Sequence, residues 1–138
     1  MELLLDNVQS VMHRLPMILA VDDHEDNLLL LMEVLSPLGC TFIAAADGKS
    51  AITLAQNYLP DLILLDIMLP DYSGIEVVHR LKQDPTTSQI PIIAVTALAR
   101  EKDRERLLFA GCNDYICKPY ILEELETVIF HHLPTLSL

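Results

Sequence analysis

Asp61-Leu62-Ile63-Leu64-Leu65-Asp66-Ile67-Met68-Leu69-Pro70-Asp71-Tyr72-Ser73-Gly74 is the stretch from which the rest of the chain can be read. Its apolar run, residues 62–65, has strand length and no polar alternation. A strand covered on both faces, as in a parallel sheet with helices above and below, carries that pattern. The run stops at a carboxylate, Asp66, and the chain then turns, punctuated by Pro70 and Gly74. In open α/β sheets the ligand crevice lies outside the carboxyl ends of the strands. Taken alone, Asp66 is equally at home as an ordinary turn residue. Its meaning depends on what the other strand ends bring.

Working upstream, Met17-Ile18-Leu19-Ala20-Val21 is a second buried strand, and it ends in paired carboxylates, Asp22-Asp23. A Leu-rich helix follows over about 25–36, closed by Pro37 and Gly39. Residues 41–45 read as a strand. Asp47-Gly48 opens a helix with Ala51, Ile52, Leu54 and Ala55 on its apolar side, and Pro60 ends that connection. Downstream, Ser73 is placed to cap a helix carrying Ile75, Val77, Val78 and Leu81, which Asp84-Pro85 terminates. Residues 91–95 form a fourth buried strand ending at Thr96. A helix over about 98–110 closes at Gly111. A short fifth strand, 114–117, ends at Lys118-Pro119. A last helix over about 121–132 has Leu122, Leu125, Val128 and Ile129 on its inner face. Five alternations of strand and helix predict a doubly wound α/β domain with a parallel sheet and right-handed crossovers. Period and count leave the strand order open.

The composition agrees with one domain. The chain has 138 residues, 51% of them apolar, enough for a real core. A net charge of −11 argues against nucleic acid and against an anionic membrane surface. Cys40, Cys112 and Cys117 are odd in number and lack CxxC spacing, so we expect reduced thiols in a cytoplasmic protein with no zinc site. The opening residues lack the basic start and cleavage site of a signal peptide, and no apolar run is long enough to span a bilayer. Residues 1–16 stand apart as an amphipathic extension, with Leu4, Val8, Val11, Met12 and Leu15 at helical spacing before Pro16. The division expected is 1–16 extension, 17–132 domain and 133–138 tail.

Parallel strands would bring Asp22, Asp23, Asp66, Thr96 and Lys118 to one edge of the sheet. Each has an ordinary reading: a helix-entry cap, a turn, a strand end, a solvated charge. Five at successive strand ends favour a site. Three carboxylates together repel unless a cation sits among them. Oxygen donors of this kind suit Mg²⁺. The ion, the Lys118 ammonium and the Thr96 hydroxyl could hold the oxygens of a transferring phosphoryl group. With no Ser, Cys or His in the set, a carboxylate must be the nucleophile, giving an aspartyl phosphate.

At this point Asp22-Asp23, the 65–74 stretch, Val95-Thr96-Ala97 and Lys118-Pro119-Tyr120 resemble the motifs of the receiver domain of two-component response regulators, of the single-domain chemotaxis type. The resemblance covers about residues 17–132. It implies a flavodoxin-like fold with strand order 2-1-3-4-5 and a cytoplasmic phosphoprotein that is a signalling switch rather than an enzyme. It implies Asp66 as phosphoacceptor. Mg²⁺ would be held by Asp23, Asp66 and the Met68 backbone carbonyl, with Asp22 holding metal-bound water. Lys118 would pair with the phosphoryl group, Thr96 would follow it, Tyr115 would be the aromatic switch, and the bond before Pro119 would be cis. The phosphodonor would be a histidine kinase or phosphotransfer protein. With little chain after residue 132, output is expected through a protein partner or a homodimer, by way of the 98–132 face. Met68 departs from the family pattern, in that many relatives place a polar side chain there, and residues 1–16 lie outside it.

Two other classes were weighed. A haloacid-dehalogenase-type phosphatase also uses an Asp nucleophile and Mg²⁺, but wants a second Asp where Met68 stands. An FMN carrier wants a neutral phosphate loop where Asp22-Asp23 stand. His24 reads as a surface residue beside the acidic pair. His131-His132 complement a helix C-terminus, and Met12, Met17 and Met32 fill core gaps. Residues 100–106 alternate in sign, so attractive i,i+3 pairs and repulsive i,i+4 pairs nearly cancel. That makes their helix easy to shift.

Overall fold

The computed structural model describes residues 15–97 and 100–133. Strands β1 (Met17–Val21), β2 (Thr41–Ala45), β3 (Leu62–Leu65), β4 (Ile92–Thr96) and β5 (Asp114–Cys117) alternate with helices α1 (Glu25–Leu35), α2 (Gly48–Tyr58), α3 (Gly74–Gln83), α4 (Glu101–Ala110) and α5 (Leu122–His132). All pairings are parallel, in the order β2-β1-β3-β4-β5. This is the flavodoxin-like order that the family resemblance implied.

Alternation along the strands sorts the core into two layers. Leu19, Val21, Ile63, Leu65, Ile92 and Ala94 face α2, α3 and α4, meeting Ala51, Ala55, Val77, Val78, Leu81 and Leu107. Ile18, Leu62, Leu64, Ile93, Val95 and Ile116 face the other way, with Leu35 of α1 and Leu125 and Ile129 of α5. All four residues of β3 are buried, as its uninterrupted apolar run required.

Local chemistry sets the helix ends. The Asp47 carboxylate accepts from Ser50 N at 2.7 Å and the Ser73 hydroxyl from Glu76 N at 3.3 Å, so both expected caps form. After α1 the chain tightens into a 3₁₀ turn at Ser36–Leu38 and leaves it through Gly39. The helix expected from residue 98 is described from Glu101, residues 98–99 lying outside the described set. Leu122, expected on the inner face of α5, is 43% exposed. It stands in the first turn of its helix, ahead of the buried pair Leu125 and Ile129. Leu133, assigned from sequence to the tail, is buried against the α1/α5 layer, its N–H bonded to Ile129 O. Of the proposed extension only Leu15 and Pro16 are described, and the stripe from Leu4 to Met12 lies outside.

Candidate functional site

Strand register builds the site. Val21 pairs with Leu65 across β1 and β3, so the next residues, Asp22 and Asp66, emerge side by side. The Asp66 N–H is tied to Val21 O at 2.9 Å and the Asp22 N–H to Ala45 O at 3.1 Å. On the other side of β3, Thr96 pairs with Cys117, and Lys118 N bonds Thr96 O at 2.7 Å. Lys118 is thereby held one residue past the end of β5, aimed back along the sheet edge.

Asp22 and Asp66 are buried, at 8% and 7% exposure. A buried charge is tolerated only when it is paired and hydrogen-bonded. The Lys118 ammonium supplies the pairing, 3.2 Å from Asp22 Oδ2 and 3.3 Å from Asp66 Oδ2. Met68 N–H donates to Asp66 Oδ1 at 3.0 Å, and His24 N–H to Asp22 Oδ1 at 2.9 Å. Burial opposes the charge on Lys118, but the Asp66 and Asp22 carboxylates outweigh it and hold the ammonium above the ordinary lysine value. Burial likewise pushes Asp22 up, and the His24 amide, Lys118 and Asn27 together bring it below the ordinary carboxylate value.

Every sequence-predicted residue lies at this edge or just beneath it. Thr96 is fully buried at the end of β4. Tyr115 is half-buried on β5, with the Arg104 guanidinium of α4 4.6 Å over its ring. The Lys118-Pro119 peptide bond is cis. The Met68 side chain, two residues past Asp66, is 62% exposed. Asp23 is exposed and lies 3.0 Å from His24 Nδ1, which is also 3.3 Å from Asp22 Oδ1. Asp22, Asp23 and His24 thus offer ligand atoms within 4.8 Å of one another, while Asp66 joins them through Lys118.

Sequence reasoning missed three residues. His24, read as a bystander, faces both carboxylates. Asn27 reaches Asp22 Oδ2 at 3.3 Å from the first turn of α1. Its signal was available, since a residue early in the helix after Asp22-Asp23 points back at the strand end. Asp71 accepts from Gly48 N at 2.7 Å and Lys49 N at 3.0 Å, clamping the loop after Asp66 to the N-terminus of α2. That contact spans 23 positions and had no local signal.

Asp22 and Asp66 open into a cleft of about 540 Å³ lined also by Asn27, Ala97, Lys118 and Tyr120 among others. A larger hollow of about 750 Å³ lies between α3 and α4, lined by Ile75, His79, Lys102, Arg106 and Phe109 among others. It holds none of the strand-end residues, so size does not identify the chemistry here. Among the described residues, no helix is long and apolar enough to cross a membrane.

The donor set fits a hard divalent cation. Asp22 and Asp66 share one ammonium while Asp23 lies beside the His24 ring, and the excess negative charge is what oxygen-coordinated Mg²⁺ neutralises.

Comparison with known proteins agrees with this geometry. The response regulator receiver domain family matches residues 18–130. The polar-differentiation response regulators DivK of Brucella anthropi and Brucella abortus are each 43% identical over 112 residues, covering 80% of this chain and 91% of theirs. The receiver domain of the Pseudomonas aeruginosa sensor histidine kinase PA1611, solved with a magnesium ion coordinated in its active site cleft, superposes with a TM-score of 0.80. It is 33% identical, over 87% of this chain and 98% of that one. A response regulator from Chloroflexus aurantiacus superposes with a TM-score of 0.83 at 30% identity, over 88% of this chain and 99% of that one. With a parallel 2-1-3-4-5 sheet and a Lys-bridged pair of strand-end aspartates already in place, this chain belongs to the response regulator receiver domain family.

Proposed function

We propose that Asp66 accepts a phosphoryl group from the phosphohistidine of a kinase or phosphotransfer protein, and that the acylphosphate it forms is the signal. The observation that carries this is the buried Asp66 carboxylate at a strand end, bridged to Asp22 by Lys118. An Asp66 oxygen forms the new O–P bond as the N–P bond of the donor breaks, and the departing imidazole takes up a proton. Lys118 is free to exchange its Asp66 contact for a phosphoryl oxygen, keeping its charge beside the acceptor throughout. Mg²⁺ would be held by Asp23, Asp66 and the Met68 carbonyl, with Asp22 in an outer position; when bound it neutralises charge on the phosphoryl oxygens. No external substrate is turned over, so the domain acts as a switch. The haloacid-dehalogenase alternative has no counterpart to its second Asp, since Met68 holds that place.

Output runs through α4, β5 and α5. The ion pairs open to the alternating charges of α4 do not form among the described residues; Arg104 stacks on Tyr115 instead. Thr96 and Tyr115 stand on adjacent strands, so a shift at the acceptor reaches α4 through that stack. A downstream protein or a second copy would read this face in the cytoplasm, and residues 1–16 would serve as an added interaction segment. Intact-mass measurement after incubation with acetyl phosphate and Mg²⁺ tests the acceptor. One phosphate mass should appear, be removed by hydroxylamine, and be absent in Asp66→Asn or in EDTA. An unchanged adduct in Asp66→Asn refutes the assignment.

A further inference from the structure

We infer that His24 is a nitrogen ligand of the ion held by the strand-end carboxylates, beside Asp22 and Asp23, and that it shifts the site's preference from Mg²⁺ toward first-row transition ions such as Co²⁺. The inference rests on the cleft being a metal site, as proposed above. Its own footing is geometric. His24 Nδ1 is 3.0 Å from Asp23 Oδ1 and 3.3 Å from Asp22 Oδ1. Two ligands on adjacent corners of an octahedron with bonds of about 2.1 Å stand about 3 Å apart. One ion could therefore take Nδ1 and a carboxylate oxygen with little movement of either. The same spacing suits an imidazole N–H donating to a carboxylate, so the distance permits ligation and the donor's chemistry gives it consequence.

The backbone holds the ring in place. His24 is the N-cap of α1; its carbonyl accepts from Asn27 N at 3.0 Å and Leu28 N at 3.2 Å, and its N–H is bonded to Asp22 Oδ1. Only the two side-chain torsions remain to be set. The side chain is 70% exposed, which leaves it open to an entering ion. A site with oxygen donors alone suits Mg²⁺. Imidazole adds a donor that Mg²⁺ scarcely uses and that later first-row ions bind well. The discrimination should therefore appear between ions and leave Mg²⁺ affinity nearly unchanged.

The test uses the full chain and the ions themselves. Calorimetric titration with Co²⁺ and with Mg²⁺ is compared for wild type, His24→Asn and Asp23→Ala. The Co²⁺-loaded protein is examined by proton NMR for hyperfine-shifted imidazole resonances. His24→Asn should weaken Co²⁺ binding about tenfold or more, change Mg²⁺ binding less than about twofold, and remove a shifted imidazole signal. Asp23→Ala should remove the same signal, placing it beside Asp22 and Asp23 and not at His13, His79, His131 or His132. If Co²⁺ binding depends on Asp23 but neither its affinity nor the signal responds to His24→Asn, the inference is overturned and the metal site stands. If Asp23→Ala changes the binding of neither ion, the metal reading fails and this inference with it.

Discussion

At Gly74 a missing side chain holds the acceptor loop shut. A Cβ there would run into Ile67 Cα, lie 2.8 Å from Ile67 Cδ1 and 3.1 Å from Asp66 O, while the Gly74 N–H bonds Ile67 O at 2.8 Å. The backbone of residues 66–67 must move to admit even a methyl group. Gly74→Ala should cost about 1–3 kcal/mol, in the range of forced overpacking. It should also slow the proposed phosphorylation of Asp66, because the displaced atoms belong to Ile67 and to the Asp66 backbone next to it. Urea denaturation and acetyl phosphate labelling would show both effects. Leu59 presents the opposite case. It ends α2 with φ 47°, a left-handed conformation that costs a side-chain-bearing residue about 1–2 kcal/mol. The side chain is 53% exposed, so little burial is lost on replacement. Leu59→Asn should raise stability by up to about 1 kcal/mol, seen as a higher urea midpoint at unchanged slope.

Of the five described α-helices, α4 buries the fewest residues. Only Leu107 of its ten residues is buried, whereas Phe109 is 95% exposed. Leu107→Ala should cost about 2–5 kcal/mol and Phe109→Ser within about 0.5 kcal/mol, a contrast that thermal unfolding resolves. Hydrogen exchange with beryllofluoride as phosphoryl mimic should change protection across 101–110 and near Tyr115, and the change should vanish in Thr96→Ala. Changes confined to the loops around Asp66 would place the output elsewhere. The helices themselves were legible from sequence because their signals are local: the Ser73 and Asp47 caps, the Gly111 stop, the 3.6-residue apolar spacing. The strand ends were legible for the same reason, since each buried run stops at the residue that enters the site. What lay beyond local reading depends on neighbours distant in the chain. Strand order came from resemblance, the Asp71 clamp on α2 joins two loops, and the fate of Arg104 was decided by Tyr115 on another element. His24 is the exposed residue beside the acidic pair that the sequence suggested, while its second property, two carboxylates within reach of its ring, appears only once α1 is set against the sheet.

For the whole molecule, pH connects the site to stability through groups whose ionisation is shifted by folding. Asp22, Asp71 and Asp84 are all lowered from the ordinary value of 3.8: Asp22 by bonds and Lys118 acting against its burial, Asp71 foremost by the Gly48 amide, Asp84 foremost by the Thr86 amide. A lowered carboxylate stabilises the fold above its unfolded value, and that contribution is lost as pH falls through the folded one. The acid limb should therefore begin below about pH 4 and be shallower in Asp22→Asn. On the alkaline side Cys112 is raised from 9.0, first by burial, and its single S–H has two acceptors in reach, Ile92 O at 3.2 Å and Asp114 O at 3.1 Å. Lys82, also half-buried, faces it and favours the thiolate, but too weakly to offset burial. An acid with a raised folded value stabilises fully below its unfolded value and loses that contribution as pH climbs above it. Lys118, raised from 10.5, follows the same sign one step later. Cys40, raised from 9.0 first by burial, and Tyr120, raised from 10.0 first by burial, carry the same sign. Stability should thus start to fall near pH 9 through Cys112 and Cys40 and fall further beyond about pH 10 through Tyr120 and Lys118. Cys112→Ala should lower the neutral-pH midpoint by opening a small cavity, yet make the decline above about pH 9 shallower, with Cys40 left to carry its onset. Urea midpoints taken from pH 7 to pH 11 on both proteins decide it. A decline as steep in Cys112→Ala as in wild type would assign the loss to Cys40 or another group, and the buried Cys112 thiol would then be packing alone.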